Sequence, residues 1–298
     1  FANATELNTP LKEEYFSFEP SIEGEVVWRD GQTLEFKPKN RLEPGTNYKA
    51  TFHLDKLIEV KDELKEFEFG FQSIKQSAQL QVNQLKSYHG TDYEYYSLAG
   101  TVSTADFADE ATVEKMVNAK LGSENLRLKW VHNDKETIHK FLIDSIERPS
   151  SGSSKLTINC NAEPLKLTYN ETKTMEVPAK GKFTLLATGV ESDNEQFVLL
   201  NFSNPVDQNQ SLEGLINLGD FKDIKYIVNN NQVLLYPTEI KSGTYTLTVS
   251  ESVRDTKGQN LDKSSEHSIV INEFKPAVKF SGNGNILPST NGLSLPFE

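Results

Sequence analysis

Apolar and polar residues alternate in short runs along this chain. In Tyr48, Ala50, Phe52 and Leu54, set against Lys49, Thr51, His53 and Asp55, the apolar side chains fall on one face and the polar ones on the other. That period of two is the signature of a half-buried β-strand. Tyr245, Leu247 and Val249, alternating with Thr246, Thr248 and Ser250, repeat it. Further strands are predicted at Leu98 to Val102, Leu126 to Trp130, Phe141 to Ile146 and Leu156 to Cys160. Asp109 to Leu121 departs from this rhythm: Val113, Met116, Val117 and Leu121 recur at helical spacing behind an Asp able to cap, which predicts one short helix.

The turns between these runs show that part of the chain is repeated. Asp30-Gly31 and Asn229-Asn230-Asn231 tolerate the left-handed backbone of tight hairpins, between strands at 24–29 and 32–37 and between their counterparts. At an offset of 201, Phe1 falls on Phe202, Asn3 on Asn204, Asn8 on Asn209 and Leu11 on Leu212. At an offset of 200, Gln32 falls on Gln232, Leu34 on Leu234 and Phe36 on Tyr236. Leu42, Gly45, Thr46 and Tyr48 then match Ile240, Gly243, Thr244 and Tyr245. A shared order of phrases with drifting offsets is the mark of a duplicated domain. Tyr48 and Tyr245, each following a Gly turn at a strand start, resemble the tyrosine corner of Ig-like sandwiches, whose hydroxyl bonds back to the preceding loop.

At 298 residues the chain exceeds what one hydrophobic core supports. The expected organisation is all-β: tandem Ig-like β-sandwich domains, with at most one short helix in the middle domain. Residues 1–75 form an Ig-like sandwich lacking its first strand, 76–180 a sandwich of different lineage, 181–273 a sandwich homologous to the first, and 274–298 the start of a further, truncated domain. Pro178-Ala179-Lys180-Gly181 reads as a junction and Pro149 to Ser154 as a flexible hairpin loop. The abrupt opening at Phe1 and the closing stretch read as a segment cut from something longer, with a processed or trimmed N-terminus.

Charge and cysteine content narrow the function. A net charge of -12 with no Lys/Arg cluster argues against nucleic acid as a partner. No run of eighteen or more apolar residues occurs. Cys160 is the only cysteine, which excludes an intramolecular disulfide framework, and its alternation with Ile158 and Leu156 marks it as a buried strand residue rather than a nucleophile.

Reactive chemistry finds no foothold. His53, His89, His132, His139 and His267 sit in no metal-binding frame, and His132 and His139 read as solvated residues flanking a polar hairpin. The Gly282-Asn283-Gly284 pair lacks the strand-to-helix setting of a phosphate site. Asp255 to Asp262 lacks the ligand ladder of an EF-hand and reads as a turn in which Gly258 takes positive φ and Leu261 re-enters the core. Glu59 to Glu68 reads as a solvated strand pair. The expectation is therefore no catalytic residue, no cofactor-binding residue and no metal ligand: not an enzyme.

Phe202-Ser203-Asn204-Pro205-Val206-Asp207, Val233 to Pro237, Gly243-Thr244-Tyr245, and Val253-Arg254-Asp255 through Gly258 and Leu261 are typical of bacterial Ig-like modules. With the closing Val278 to Gly282 and Ile286 to Glu298, the chain resembles the N-terminal region of a bacterial alpha-2-macroglobulin of the kind found in Bacteroidota. That resemblance implies tandem Ig-like (macroglobulin-like) β-sandwich domains, with 76–180 a macroglobulin-like sandwich, and a broad-spectrum protease trap in which this segment is a non-catalytic scaffold, acting on proteases only through the full-length protein. Some members carry a reactive thioester in a C-x-E-Q motif, which Cys160-Asn161-Ala162-Glu163 does not fit. It further implies a monomer in the periplasm or cell envelope, touching a membrane only through a lipidated N-terminus upstream. Two rival readings use the same modules: a cell-surface Ig-like adhesion or ligand-binding array, and an accessory β region of a surface hydrolase.

Overall fold

The computed structural model describes residues 7–87, 93–192, 195–238 and 240–273. Phe1, Asn3, His89, the glycine pair at 282–284 and the whole of 274–298 lie outside them. The described part is built from short β-strands in several sheets with one α-helix, as the alternating pattern predicts. By backbone packing it divides into two compact units, one within Phe1–Asn83, Ala99–Ile143 and Leu156–Met175, the other within Gln84–Leu98, Asp144–Lys155 and Glu176–Glu298.

The first strands are β1 (Phe16–Glu19), β2 (Gly24–Trp28), β3 (Leu34–Pro38), β4 (Asn47–His53) and β5 (Glu66–Gln72). They form a sheet ordered β1-β4-β5 and a two-stranded sheet β2-β3. β4 ends at His53, one residue before the expected alternation does, because Leu54–Lys56 winds into a 3₁₀ turn. The acidic stretch after it holds a second 3₁₀ turn, Asp62–Leu64, and then β5, rather than a strand pair.

Next come β6 (Ala78–Val82), β7 (Lys86–Ser87), β8 (Tyr95–Thr104), α1 (Glu110–Met116), β9 (Val117–Leu121), β10 (Glu124–Leu126), β11 (Lys129–His132), β12 (Ile138–Glu147), β13 (Ser153–Asn161) and β14 (Asn170–Pro178). One sheet runs β10-β9-β13-β14 and the other β11-β12-β8-β6, with β7 on β8. The Asp109 carboxylate does cap α1, accepting from the Thr112 N–H at 3.0 Å. The helix stops at Met116, however, and Val117–Leu121 is a strand. Those five residues satisfy both periods: Val117 and Ala119 turn inward while Asn118 and Lys120 turn out, and pairing with β13 decides for the strand. The strand expected over Leu126 to Trp130 is two, because Leu126 pairs with Ala119 in one sheet and Lys129 with Leu142 in the other. The chain crosses between sheets at Arg127-Leu128.

The last group is β15 (Leu185–Ser192), β16 (Gln196–Phe202), β17 (Ile216–Leu218), β18 (Ile224–Asn229), β19 (Gln232–Pro237), β20 (Gly243–Val249) and β21 (Ser265–Ile271). Sheets β15-β16-β19-β18 and β17-β20-β21 enclose one core that includes Phe183, Val198, Leu200, Phe202, Val233 and Leu247. The order β17-β20-β21 reproduces β1-β4-β5, and hairpin β18-β19 reproduces β2-β3. Register sharpens the match: Trp28 pairs with Leu34 and Gly24 with Pro38, while Val228 pairs with Val233 and Ile224 with Pro237. Leu34, Phe36 and Pro38 thus correspond to Val233, Leu235 and Pro237, one residue away from the ungapped alignment. The first hairpin has the longer turn: Arg29 N–H bonds back to the Thr33 carbonyl, whereas Asn229 pairs directly with Gln232.

The two tyrosines behave as fold residues. The Tyr245 hydroxyl donates to the Lys241 carbonyl at 3.1 Å, closing a tyrosine corner. Tyr48 is buried, and its ring stacks on Phe71 at 5.3 Å. Among the described residues Tyr48 makes the packing half of the corner without the hydroxyl bond.

Candidate functional site: a buried polar cluster at Arg148

Arg148 follows directly on β12 and is 1% exposed. A buried guanidinium is costly unless its five N–H groups are all satisfied. Here they are. Nε donates to the Pro178 carbonyl at 3.1 Å, one terminal nitrogen to Tyr93 O at 3.1 Å and Asn204 Oδ1 at 2.7 Å, and the other to Ala179 O at 2.7 Å and Lys182 O at 2.8 Å. The guanidinium carbon lies 5.2 Å from the centre of the Tyr96 ring. Burial lowers the Arg148 pKa, with the nearby Tyr96 and Asp255 opposing the drop.

Among the described residues no carboxylate is hydrogen-bonded to Arg148, and Asn204 links it to Asp255. Its Oδ1 accepts from Arg148 and its Nδ2 donates to Asp255 Oδ2 at 2.8 Å, which fixes the amide orientation. Asp255, 1% exposed, also accepts the Lys257 and Gln259 N–H groups at 2.9 Å. This is the turn expected at 255–262: Gly258 has φ +79° and Leu261 is buried. Tyr96, fully buried, donates to Ser203 O at 2.7 Å, and burial pushes its phenol pKa up.

A second ring of bonds surrounds the β18-β19 turn. Asn230 adopts φ +56°, as a tight hairpin requires, yet its Nδ2 also donates to Ser87 O at 2.6 Å. Fully buried Asn231 accepts from Ser87 N at 3.2 Å and donates to Leu85 O at 3.0 Å and Phe202 O at 2.7 Å. These asparagines are turn residues and clamps at once. The stretch from Pro178 to Lys182 supplies three of the carbonyls that hold Arg148, and its backbone bonds Ala179 to Gly152 and Lys180 to Pro149. The 149–154 loop, expected to be flexible, is tied down by those two bonds. Such a cluster binds segments distant in sequence to one another; it presents neither a nucleophile nor a general base to solvent.

The other singled-out residues fall elsewhere. Cys160 lies on β13 and is fully buried, and burial, helped by Glu171, pushes its thiol up to about 11. His132 and His139 are not solvated. They face each other across β11-β12 with Nδ1 atoms 2.7 Å apart, His139 fully buried, because His139 shares the inward parity of Phe141 and Ile143. Glu114 of α1 lies 3.4 Å from His132 Nε2. Among the described residues no group of three or more His, Cys, Asp or Glu is placed to hold a metal ion.

Arg148 escaped sequence reasoning, although a cation two positions beyond inward-facing Ile146 is a readable anomaly. Asn204 carried a clearer signal, since it is a polar identity kept in the repeated phrase.

The fold and this cluster define a class: an all-β chain of tandem Ig-like modules. No family model matches it. The chain is 28% identical over 212 residues to an alpha-2-macroglobulin homolog of Yersinia pestis, covering 64% of this chain and 10% of that protein. It is 27% identical over 123 residues to an alpha-2-macroglobulin of Xylella fastidiosa strain Temecula1, covering 40% of this chain and 8% of that protein. The strain 9a5c protein matches over the same length at 26%. The chain is thus related in part to bacterial alpha-2-macroglobulins and spans about a tenth of their length.

Proposed function

We propose that the chain is a non-catalytic scaffold segment near the N-terminus of a bacterial alpha-2-macroglobulin-like protease trap, of the type found in Bacteroidota. The similarity to the Yersinia and Xylella proteins supports the alpha-2-macroglobulin part of this reading, and the resemblance of the repeated phrases suggests the Bacteroidota type. The Arg148 cluster gives it a physical role. In a trap that rearranges when cut, some modules must keep their mutual orientation, and a fully satisfied buried cation holds geometry that apolar packing alone leaves looser. On this reading Arg148, Asn204 and Asp255 lock the middle sandwich to the next one. Proteases are partners of the whole protein, which acts as a monomer in the periplasm or cell envelope, with a lipidated N-terminus as its contact with the membrane.

The test is a trapping assay on the whole protein with a broad-specificity protease. The expected product retains activity on a small chromogenic peptide, loses it on a large protein substrate, and scatters as a changed shape once cut. A protein that neither shields the protease nor changes shape would overturn the reading and favour the adhesion array.

A further inference from the structure

The histidine pair of the β11-β12 hairpin has few places to hold a proton. The Glu114 carboxylate only accepts, so His132 Nε2, 3.4 Å from it, carries a proton. His132 Nδ1 is then bare and accepts from the Nδ1–H of His139 across 2.7 Å. That leaves His139 Nε2 bare, buried and with no hydrogen-bond partner among the described residues. Two protons thus sit on four ring nitrogens, and a third has two possible positions. On His139 Nε2 it becomes a buried donor without an acceptor; between the Nδ1 atoms it sets two N–H groups against each other. Either position works against the closed hairpin. The charges facing the pair are Glu114 and Glu110, both on α1, and the Glu136 backbone faces His139 from the loop. They favour a charged pair in the closed form, yet none gives His139 Nε2 an acceptor. The element able to yield is β11, which has four residues, lies at the edge of its sheet and pairs with β12. Its Trp130 ring stacks on His132 at 5.8 Å and lies 5.2 Å from Phe141.

We propose that this pair is an acid-operated latch: uptake of a third proton frees β11 from β12 and bares the edge of β12 together with the Trp130 and Phe141 rings. In water both histidines charge without hindrance, so the open form takes up protons that the closed form disfavours, and acid shifts the population toward it. The freed edge presents unpaired main-chain groups and apolar rings that the closed sheet hides, so the surface of this module depends on pH. This goes beyond the scaffold role and stands or falls apart from it.

The test follows the 298-residue chain from about pH 7.5 to about pH 5 by amide hydrogen exchange, corrected for the intrinsic rate, and by the indole N–H signals of its two tryptophans, Trp28 and Trp130. In acid, exchange across 129–132 should quicken by roughly tenfold or more while β9 and β13 stay protected. The Trp130 signal should shift reversibly with a midpoint below 6.5, the ordinary value for a histidine, and that of Trp28 should not. His139→Phe fills the site with a ring that takes no proton and should abolish both changes. Glu114→Gln, at a half-exposed site, removes a charge that holds the closed form together and should move the midpoint to higher pH. Exchange across 129–132 indifferent to acid, a transition that persists in His139→Phe, or a midpoint that Glu114→Gln leaves in place or lowers would overturn the proposal. Loss of protection in β9 and β13 at the same pH as in β11 would also overturn it, assigning the change to unfolding of the whole module.

Discussion

Arg148 shows how a single side chain is hidden in a sequence and plain in a structure. Its charge marks it as a surface residue, and only the convergence of Tyr93, Pro178, Ala179, Lys182 and Asn204 makes burial tolerable. Those acceptors are scattered over more than a hundred positions, so no local pattern reports them. His139 was misread for a related reason: its polarity outweighed the inward parity it shares with Phe141 and Ile143. Burial lowers its pKa below the usual 6.5, His132 adds to the drop, and a backbone bond at Glu136 and the charge of Glu110 oppose it; Glu114 faces the pair from α1. The unfolded chain therefore takes up this proton at higher pH than the native one. Stability present in full above pH 6.5 is lost as pH falls toward the depressed native value. Urea unfolding at about pH 7.5 and about pH 5.5 should show a smaller loss for His139→Asn than for the parent, and an equal loss would contradict the assignment.

At the scale of elements, strands were the most legible feature because alternation is a direct imprint of one buried face. Boundaries were less so. Val117–Leu121 fits a helical and a strand period equally, and pairing with β13, a long-range event, chose the strand. The one-residue slip between the hairpins of the two related sandwiches was invisible because turn length, not side-chain pattern, sets it. Packing between elements was not legible at all. Gly100 of β8 leaves room for the ring of Phe141 on β12, which occupies the place a Cβ would take. Gly100→Ala should therefore destabilise the chain by about 1–3 kcal/mol through overpacking. Gly189 of β15 has nothing within 4 Å of a built Cβ, so Gly189→Ala should leave thermal stability essentially unchanged. Equal melting temperatures for both variants would contradict the packing described for β8 and β12.

At the scale of the whole molecule, a repeat was readable from phrases such as Gly45-Thr46 with Tyr48 and Gly243-Thr244-Tyr245, because turns and corners constrain residue identity most tightly. The strand order β17-β20-β21 repeats that of β1-β4-β5. What the phrases could not convey is that Pro178 to Lys182, which reads as a linker, is hydrogen-bonded along its length to Arg148 and to the 149–152 loop. A scaffold role depends on that stretch being fixed. The measurement that bears on it most directly is hydrogen–deuterium exchange across residues 178–184 and 202–206, in the parent chain and in Arg148→Met. The account predicts protection in the parent comparable to β16 and β19, and its loss in the variant while β20 and β21 remain protected. Exchange across 178–184 in the parent as fast as in a free linker would contradict it.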